Sequence, residues 1–309
     1  MVWKERVASV EDIRRAVLIA GPTASGKSAL ALRIAAEIGG VIVNTDSMQV
    51  YDVLRLLTAR PDAEEMARVP HRLYGHVSPS VSYSTGRWLD DVRAVMEEDE
   101  IAGRPLVFTG GTGLYFRALT RGLSPMPKVP DAVRERWRSR LAEEGAEKLH
   151  EILRHEDPAA AAAIRPADGQ RILRALEVRD VSGRSILDWQ AEAGTPLVDE
   201  GRAERYLVLP DRDSLNARIE DRFDKMVEQG ALDEVRALNA LRLDPALPAM
   251  KAIGVRELTN VLENKTSLKE AIALAKTATR QYAKRQMTWF RNQLGEGWKV
   301  VNHPGGADA

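Results

Sequence analysis

Gly21-Pro22-Thr23-Ala24-Ser25-Gly26-Lys27-Ser28, set between AVLIA at 16–20 and ALALRIAAEI at 29–38, decides the fold. An apolar run, a glycine loop and an amphipathic run in that order read as strand, loop and helix. The octapeptide matches G-x-x-x-x-G-K-[ST] at every fixed position, the phosphate loop of ATP-binding and other nucleotide-binding proteins. Its glycines let backbone N–H groups converge on phosphate oxygens, and the helix behind presents its positive end. Lys27 adds a point charge, and the Ser28 hydroxyl can reach a Mg2+ ion.

Outward from the loop, VIVNTDS (41–47) and RPLVFTGGTGLY (104–115) each read as a strand ending in polar or glycine-rich residues, the second followed by a helix. Strands alternating with helices imply an α/β fold: a P-loop NTPase-like parallel sheet flanked by helices. SPMPKVP (124–130) interrupts that pattern. Helical character follows to residue 193, broken at Asp157-Pro158, Arg165-Pro166 and Ser182-Gly183. RYLVL (205–209) restores a strand, and Leu215, Ile219, Phe223 and Met226 then recur at helical spacing. The expected organisation is a discontinuous catalytic core (12–120 and 204–295), an all-helical insertion domain (121–203) and a flexible tail (296–309).

Composition narrows the chemistry. The 309 residues include no cysteine, which excludes disulfides, Cys-ligated zinc, iron–sulfur clusters and thiol nucleophiles. The five histidines show no paired metal-ligand spacing, and no apolar run approaches the ~20 residues of a membrane span. With no signal-peptide pattern at the N-terminus, a soluble cytoplasmic protein is expected. Forty-five basic residues balance forty-five acidic ones, and this zero net charge argues weakly against a nucleic-acid partner.

Two further elements face the loop. Asp46 falls at the carboxyl end of the second strand, where open α/β sheets place ligands. It reads either as a general base or Mg2+-organising carboxylate, or as the N-cap of a following helix. Its neighbours Ser47, Gln49 and Tyr51 offer polar groups for reading a base. Gly110-Gly111-Thr112-Gly113 repeats the logic at the third strand: close approach of backbone to a ligand, or a plain capping turn. A switch GTPase does not fit, because Asn264-Lys265-Thr266-Ser267 lacks the Asp of the base-reading motif and the third strand ends in Thr109-Gly110-Gly111.

Taken together, GPTASGKS, NTDSMQVY, LTARP and GGTGLYFRAL resemble the tRNA dimethylallyltransferase (tRNA isopentenyltransferase) family. The resemblance extends through DPAAAAAIRPADGQRILRALEVRDVSGR, PDRDSLNARIEDRFDKMVEQGALDEV, PAMKAIGVREL and TRQYAKRQMTWFR, covering roughly residues 15–293. It implies transfer of the dimethylallyl group from dimethylallyl diphosphate to N6 of the adenosine 3′-adjacent to the anticodon. Mg2+ would be the cofactor, and the tRNA anticodon stem-loop the partner of a monomeric enzyme.

Asp46 matches the family's base, and Thr23 a residue used near the substrate. The resemblance assigns Asp46, Ser47, Met48 and Gln49 to the base pocket, Thr112 and Arg134 to tRNA contacts, and Gln170, Arg171, Ile172, Leu173 and Arg174 to a tRNA-binding segment. Arg222 matches an arginine that grips the diphosphate; Arg218 lies one helical turn earlier on the same face. Catalysis would then rest on Asp46, Thr23, Lys27 and Arg222. The chain departs from the family at LLTAR (56–60), where Arg60 replaces a lysine with a planar fork, and at Val255, where the family has tyrosine. Without cysteine, the zinc finger added by larger eukaryotic relatives is not expected.

The zero net charge conceals local asymmetry. Lys276, Arg280, Lys284, Arg285 and Arg291 occur without an acid between them, interleaved with Tyr282, Trp289 and Phe290. Arg134, Arg136, Arg138 and Arg140 form a second basic run, and Gln170, Arg171 and Arg174 a third. Such segments suit phosphate contacts and base stacking, or form solvated faces balanced by acids elsewhere. Two rival functions share the phosphate loop: a kinase for a nucleoside or small metabolite, with Asp46 activating a hydroxyl, and a non-catalytic RNA-binding ATPase switch.

Overall fold

The computed structural model describes residues 16–302. β1 (Ala16–Ala20) is buried along its whole length, as a central strand covered on both faces must be. The phosphate loop leads from it into α1 (Lys27–Ile38), and β2 (Val41–Asn44) follows. α2 (Ala63–Arg68), β3 (His71–Arg72), α3 (Thr85–Met96), β4 (Leu106–Gly110) and α4 (Gly113–Arg121) complete the first half. Every strand pairs in parallel, in the order β3-β2-β4-β1, with β5 (Glu204–Val208) and β6 (Lys299–Val301) added on the other side of β1. The connection from β1 runs one way and the later strands the other, so the carboxyl ends of β1 and β4 lie at the reversal point where such sheets bind ligands.

The described residues fold as two compact units, one of residues 16–120 with 197–302 and one of residues 121–196. The sheet unit therefore takes back residues 197–203, which the sequence places in the insertion. The Leu197 and Val198 amides hydrogen-bond to Leu119 O. The expected tail is also shorter, because Lys299–Val301 forms edge strand β6; residues 303–309, like 12–15, lie outside the described residues.

In the helical unit, α5 (Asp131–Glu156) is broken at Gly145, whose φ of 82° has left the helical region. α6 (Pro158–Ala163), α7 (Gly169–Ser182) and α8 (Ile186–Ala191) follow. Asp157 caps α6 by accepting from the Ala160 amide, and Gly183 at φ 67° ends α7, so the expected breaks are realised. Trp137, Leu149, Leu153, Ile172 and Leu176 form this unit's own core.

The sheet unit resumes with α9 (Arg212–Glu228), α10 (Ala231–Ala240), α11 (Val255–Leu262) and α12 (Leu268–Gln293). Leu215, Ile219, Phe223 and Met226 are all buried, as their spacing requires. Ser267 and Glu270 close a capping box that starts α12. Its buried residues Ala271, Ala275, Thr279, Ala283, Gln286 and Phe290 make one narrow stripe.

Candidate active site

The phosphate loop is built around two left-handed residues, Ala24 (φ 62°) and Gly26 (φ 92°), which turn successive amides into an anion-binding concavity. Alanine at positive φ is uncommon and tolerated only where its surroundings hold it. Lys27 Nζ donates to Pro22 O at 3.2 Å, and Arg218 Nη1 on α9 donates to Ser25 O at 3.2 Å. Arg222, one turn further along α9, donates from Nη2 to Thr23 Oγ1. Burial pushes the Lys27 ammonium down to about 8, with Asp46 opposing and Arg222 reinforcing the shift. Burial likewise lowers Arg222 to about 10, opposed by Asp46. Two cations and one carboxylate thus share one poorly hydrated region.

No helix follows β2 directly, so Asp46 is not an N-cap. Its Oδ1 instead accepts from the Met48 amide at 2.9 Å in a tight Asx turn, and Asn44 Oδ1 accepts from the Asp46 amide at 2.8 Å. Asn44 is itself fixed by donating from Nδ2 to Asp46 O and Leu73 O, while the Trp88 indole donates to Asn44 O. Backbone and side chain are both held, and the carboxylate faces a pocket.

That pocket encloses about 620 Å3, including its open mouth. Thr23, Asp46 and Arg222 form its polar end; Met48, Leu57, Ile219, Phe223, Met226 and Ile253 form an apolar wall, with Tyr282 and Thr279 from α12. Burial and the nearby Asp46 charge raise Tyr282, so its phenol stays protonated at neutral pH. The wall is positioned from outside: Glu234 on α10 accepts from the Leu56 and Leu57 amides at 2.6 and 2.9 Å.

Thr23 of the phosphate loop, the Arg222 guanidinium, the Asp46 carboxylate and an apolar wall thus line one pocket. A sequence model of the IPP transferase family matches residues 49–293, and one described as isopentenyl transferase matches 14–78. The chain belongs to the IPP transferase family.

Relatives in this family include the tRNA dimethylallyltransferase of Chelativorans sp. (strain BNC1), 62% identical over 287 residues, covering 93% of this chain and 98% of the relative. That of Mesorhizobium japonicum is 60% identical, with 93% and 89% covered. Among solved structures, a tRNA isopentenylpyrophosphate transferase from Bacillus halodurans superposes with TM-score 0.65 at 33% identity, over 94% of this chain and 90% of that one. A eukaryotic dimethylallyltransferase acting on tRNA gives TM-score 0.78 at 26% identity, over 93% and 74%.

Several residues that the IPP transferase resemblance assigns to substrate have partners within the chain. Thr112 Oγ1 accepts from the Ser47 amide at 2.9 Å and donates to Ser47 Oγ at 3.2 Å, tying the β4–α4 turn to the Asp46 turn. Gln49 Nε2 donates to Thr58 O and Ala59 O, and Tyr51 is buried with its hydroxyl on Val81 O, so the Gln49 amide nitrogen and the Tyr51 hydroxyl are already engaged within the chain. The glycines 110, 111 and 113 are required by the chain's own packing: a Cβ on each would stand 2.2 Å from Thr45, 2.3 Å from Gln286 Nε2 and 2.1 Å from the Trp289 ring. Arg60, the family's lysine position, donates to Tyr51 O and Asp52 O, bracing the loop that carries Leu57.

The basic segments divide in the same way. Lys276 pairs with Asp224 and Arg280 with Glu220 at 2.7 and 2.9 Å across α12 and α9, whereas Lys284, Arg285 and Arg291 are exposed. Phe290 is buried core, so it cannot stack on a base. In the helical unit Arg136 and Arg140 pair with Asp180 and Glu144, while Arg134 lies 4.0 Å from Asp131. On α7, Gln170 and Arg171 are exposed, Leu173 and Arg174 half-buried, and Arg174 lies 3.6 Å from Glu177. Ile172 is 0% exposed in the unit's core and cannot contact a partner.

Sequence reasoning missed Gln286. Buried on α12, it accepts from the Thr23 amide at 2.9 Å and donates to Gly111 O at 2.8 Å. Its position on the helix's single buried stripe was the available signal.

Proposed function

We propose that this chain transfers the dimethylallyl group of dimethylallyl diphosphate to N6 of the adenosine 3′-adjacent to the anticodon in tRNA, releasing diphosphate. The observation that carries the reading is the pocket's polarity: Thr23 of the phosphate loop and Arg222 at one end, an apolar wall beside them and Asp46 on the same pocket. The left-handed loop amides, Lys27, Arg222 and Arg218 hold the diphosphate. The apolar wall accommodates the five-carbon group and excludes water from a carbon made reactive by loss of its leaving group.

The C–O bond to diphosphate breaks with its electron pair leaving on oxygen, and the adenine N6 lone pair forms the new bond to that carbon. The N6 proton passes to Asp46, a contribution of ~10²–10⁴-fold for a positioned base. Charge growing on the diphosphate meets donors already oriented toward it, the arrangement worth most in a poorly hydrated site.

Among the described residues no cluster of three or more His, Cys, Asp or Glu could hold a metal. Mg2+ takes much of its shell from phosphate oxygens and water, so a single protein hydroxyl beside the phosphate loop can complete its site. Ser28, exposed in the first turn of α1, would supply the protein hydroxyl, and the ion would neutralise diphosphate charge.

The helical unit would grip the anticodon arm through exposed Gln170 and Arg171, with Arg134. A gripping surface is useful because the target base must leave its stack, at a cost of a few kcal/mol. We infer a monomer acting on tRNA in the cytoplasm. Among the described residues no helix is long and apolar enough to cross a membrane.

Incubation with tRNA and dimethylallyl diphosphate labelled in the allyl group tests the reading. Label is expected in tRNA. Label absent from tRNA, with γ-phosphate from ATP entering a small molecule, would instead establish the kinase.

A further inference from the structure

Gln286 is held at both ends of its amide, and each end touches a different part of the site. Its Oε1 accepts from the amide of Thr23 in the phosphate loop; its Nε2 donates to the carbonyl of Gly111 in the β4–α4 turn. The residue is 6% exposed, and these contacts connect positions 263 and 175 residues away. A Cβ on Gly111 would stand 3.2 Å from Asp46 Oδ2 and 2.3 Å from Gln286 Nε2, so the carboxylate and the amide converge on the same peptide. That turn is tied to the Asp46 turn a second time, through the Thr112 hydroxyl and the Ser47 amide.

We propose that Gln286 is a positioning residue that fixes the distance between the phosphate cradle and the Asp46 carboxylate. The inference rests on the reading of Asp46 as the group that takes the N6 proton. Two loops from different strands carry the leaving-group site and the base, and no backbone ladder joins them beyond the strand ends. One side chain with a donor and an acceptor in a single rigid plane can hold an N–H of one and a C=O of the other together. Among side chains of this length only glutamine offers both in neutral form. Glutamate at neutral pH would accept only, methionine would do neither, and asparagine is one carbon shorter.

The contact also removes a donor from the cradle. Thr23 has its amide on Gln286 and its hydroxyl on Arg222, and the Ser25 amide bonds Pro22 O. Of the loop's backbone donors, the amides of Ala24, Gly26, Lys27 and Ser28 are left for diphosphate beside the cationic side chains. Gln286 therefore acts on where the loop sits, rather than by touching phosphate.

The test is a double-mutant cycle in the full chain with dimethylallyl diphosphate and tRNA. Gln286→Met keeps length and volume while losing both hydrogen bonds. It should lower kcat roughly 10- to 100-fold, as sub-ångström misplacement of reacting groups does, with the affinities for pyrophosphate and tRNA within about threefold of the parent. Because Gln286 acts through Asp46, adding Gln286→Met to Asp46→Asn should cost little further, a non-additivity that a purely structural role would not produce. Should the Met variant not fold, Gln286→Glu, which keeps the acceptor and loses the donor, enters the same cycle. Multiplicative losses, or a folded Gln286 variant within twofold of the parent kcat, would overturn the proposal. If the parent chain transfers no prenyl group to tRNA, the function reading fails instead.

Discussion

Arg222 on α9 donates a hydrogen bond to the Thr23 hydroxyl across 199 residues of sequence, so the helix that returns after the insertion supplies a cation to the first loop of the chain. The bond holds a guanidinium that burial has partly stripped of water beside the anion cradle. Arg222→Ala should lower kcat/KM for dimethylallyl diphosphate by roughly 10²–10³-fold, the usual loss of one preorganised donor at a developing charge. Arg222→Lys should recover little, since a point donor cannot replace a planar fork. Steady-state kinetics at saturating tRNA reads this directly; an unchanged kcat/KM would remove Arg222 from the diphosphate site.

Asp46→Asn preserves the acceptor for the Met48 amide and so preserves the turn. Turnover should drop by ~10²–10⁴-fold while tRNA affinity stays within about twofold. If tRNA affinity falls as far as turnover, Asp46 is a binding residue rather than the base.

Lys27 is charged below about 8 and neutral above it in the free protein. The kcat/KM for the diphosphate ester should therefore decline as pH rises through about 8. Bound diphosphate stabilises the ammonium, so the corresponding fall in kcat should lie at higher pH. Lys27→Arg should move this limb beyond the accessible range, because guanidinium does not deprotonate there. A parent profile of kcat/KM that is level across this pH would contradict the assignment.

These residues differ in how far the sequence announced them. The phosphate loop and Asp46 are local features, a motif and a strand end, and both stand where local patterning put them. The helical unit was legible for the same reason, since its breaks lie at Asp157-Pro158, Arg165-Pro166 and Ser182-Gly183. β3 and β6 are two and three residues long, too short to carry a period. The basic-aromatic run on α12 was read by composition, and composition does not assign faces. The stripe Ala275, Thr279, Ala283, Gln286, Phe290 turns Phe290 inward and carries Gln286 to the phosphate loop. Arg60 and Glu234 brace the loop bearing Leu57 through backbone carbonyls and amides, contacts that leave no trace in a side-chain pattern.

Glu234→Ala removes both acceptors from the Leu56 and Leu57 amides. Loss of hydrogen bonds to a charged group should cost about 1–3 kcal/mol in stability by denaturant titration. The KM for dimethylallyl diphosphate should rise as well, because Leu57 is part of the apolar wall. A loss of stability with KM unchanged would show that the wall does not depend on this brace.

Arg134 and Arg171 are exposed, and among the described residues each pairs only with an acid three residues earlier, Asp131 at 4.0 Å and Asp168 at 3.4 Å, solvent-exposed pairs weak enough for phosphate to displace. Replacing both by alanine should weaken tRNA binding and reduce the slope of log K against log salt by about one to two units. Filter binding across a salt series measures it, and a slope equal to the parent's would place the tRNA elsewhere.

The defining event is the new bond from carbon to adenine N6. Mass analysis of nucleosides from tRNA incubated with the protein, dimethylallyl diphosphate and Mg2+ tests it most directly. An adenosine carrying one five-carbon unit on N6 is expected beside the anticodon on its 3′ side, formed ~10²–10⁴-fold more slowly by Asp46→Asn. Nucleosides identical to those of untreated tRNA, or a prenyl group on another atom, would contradict it.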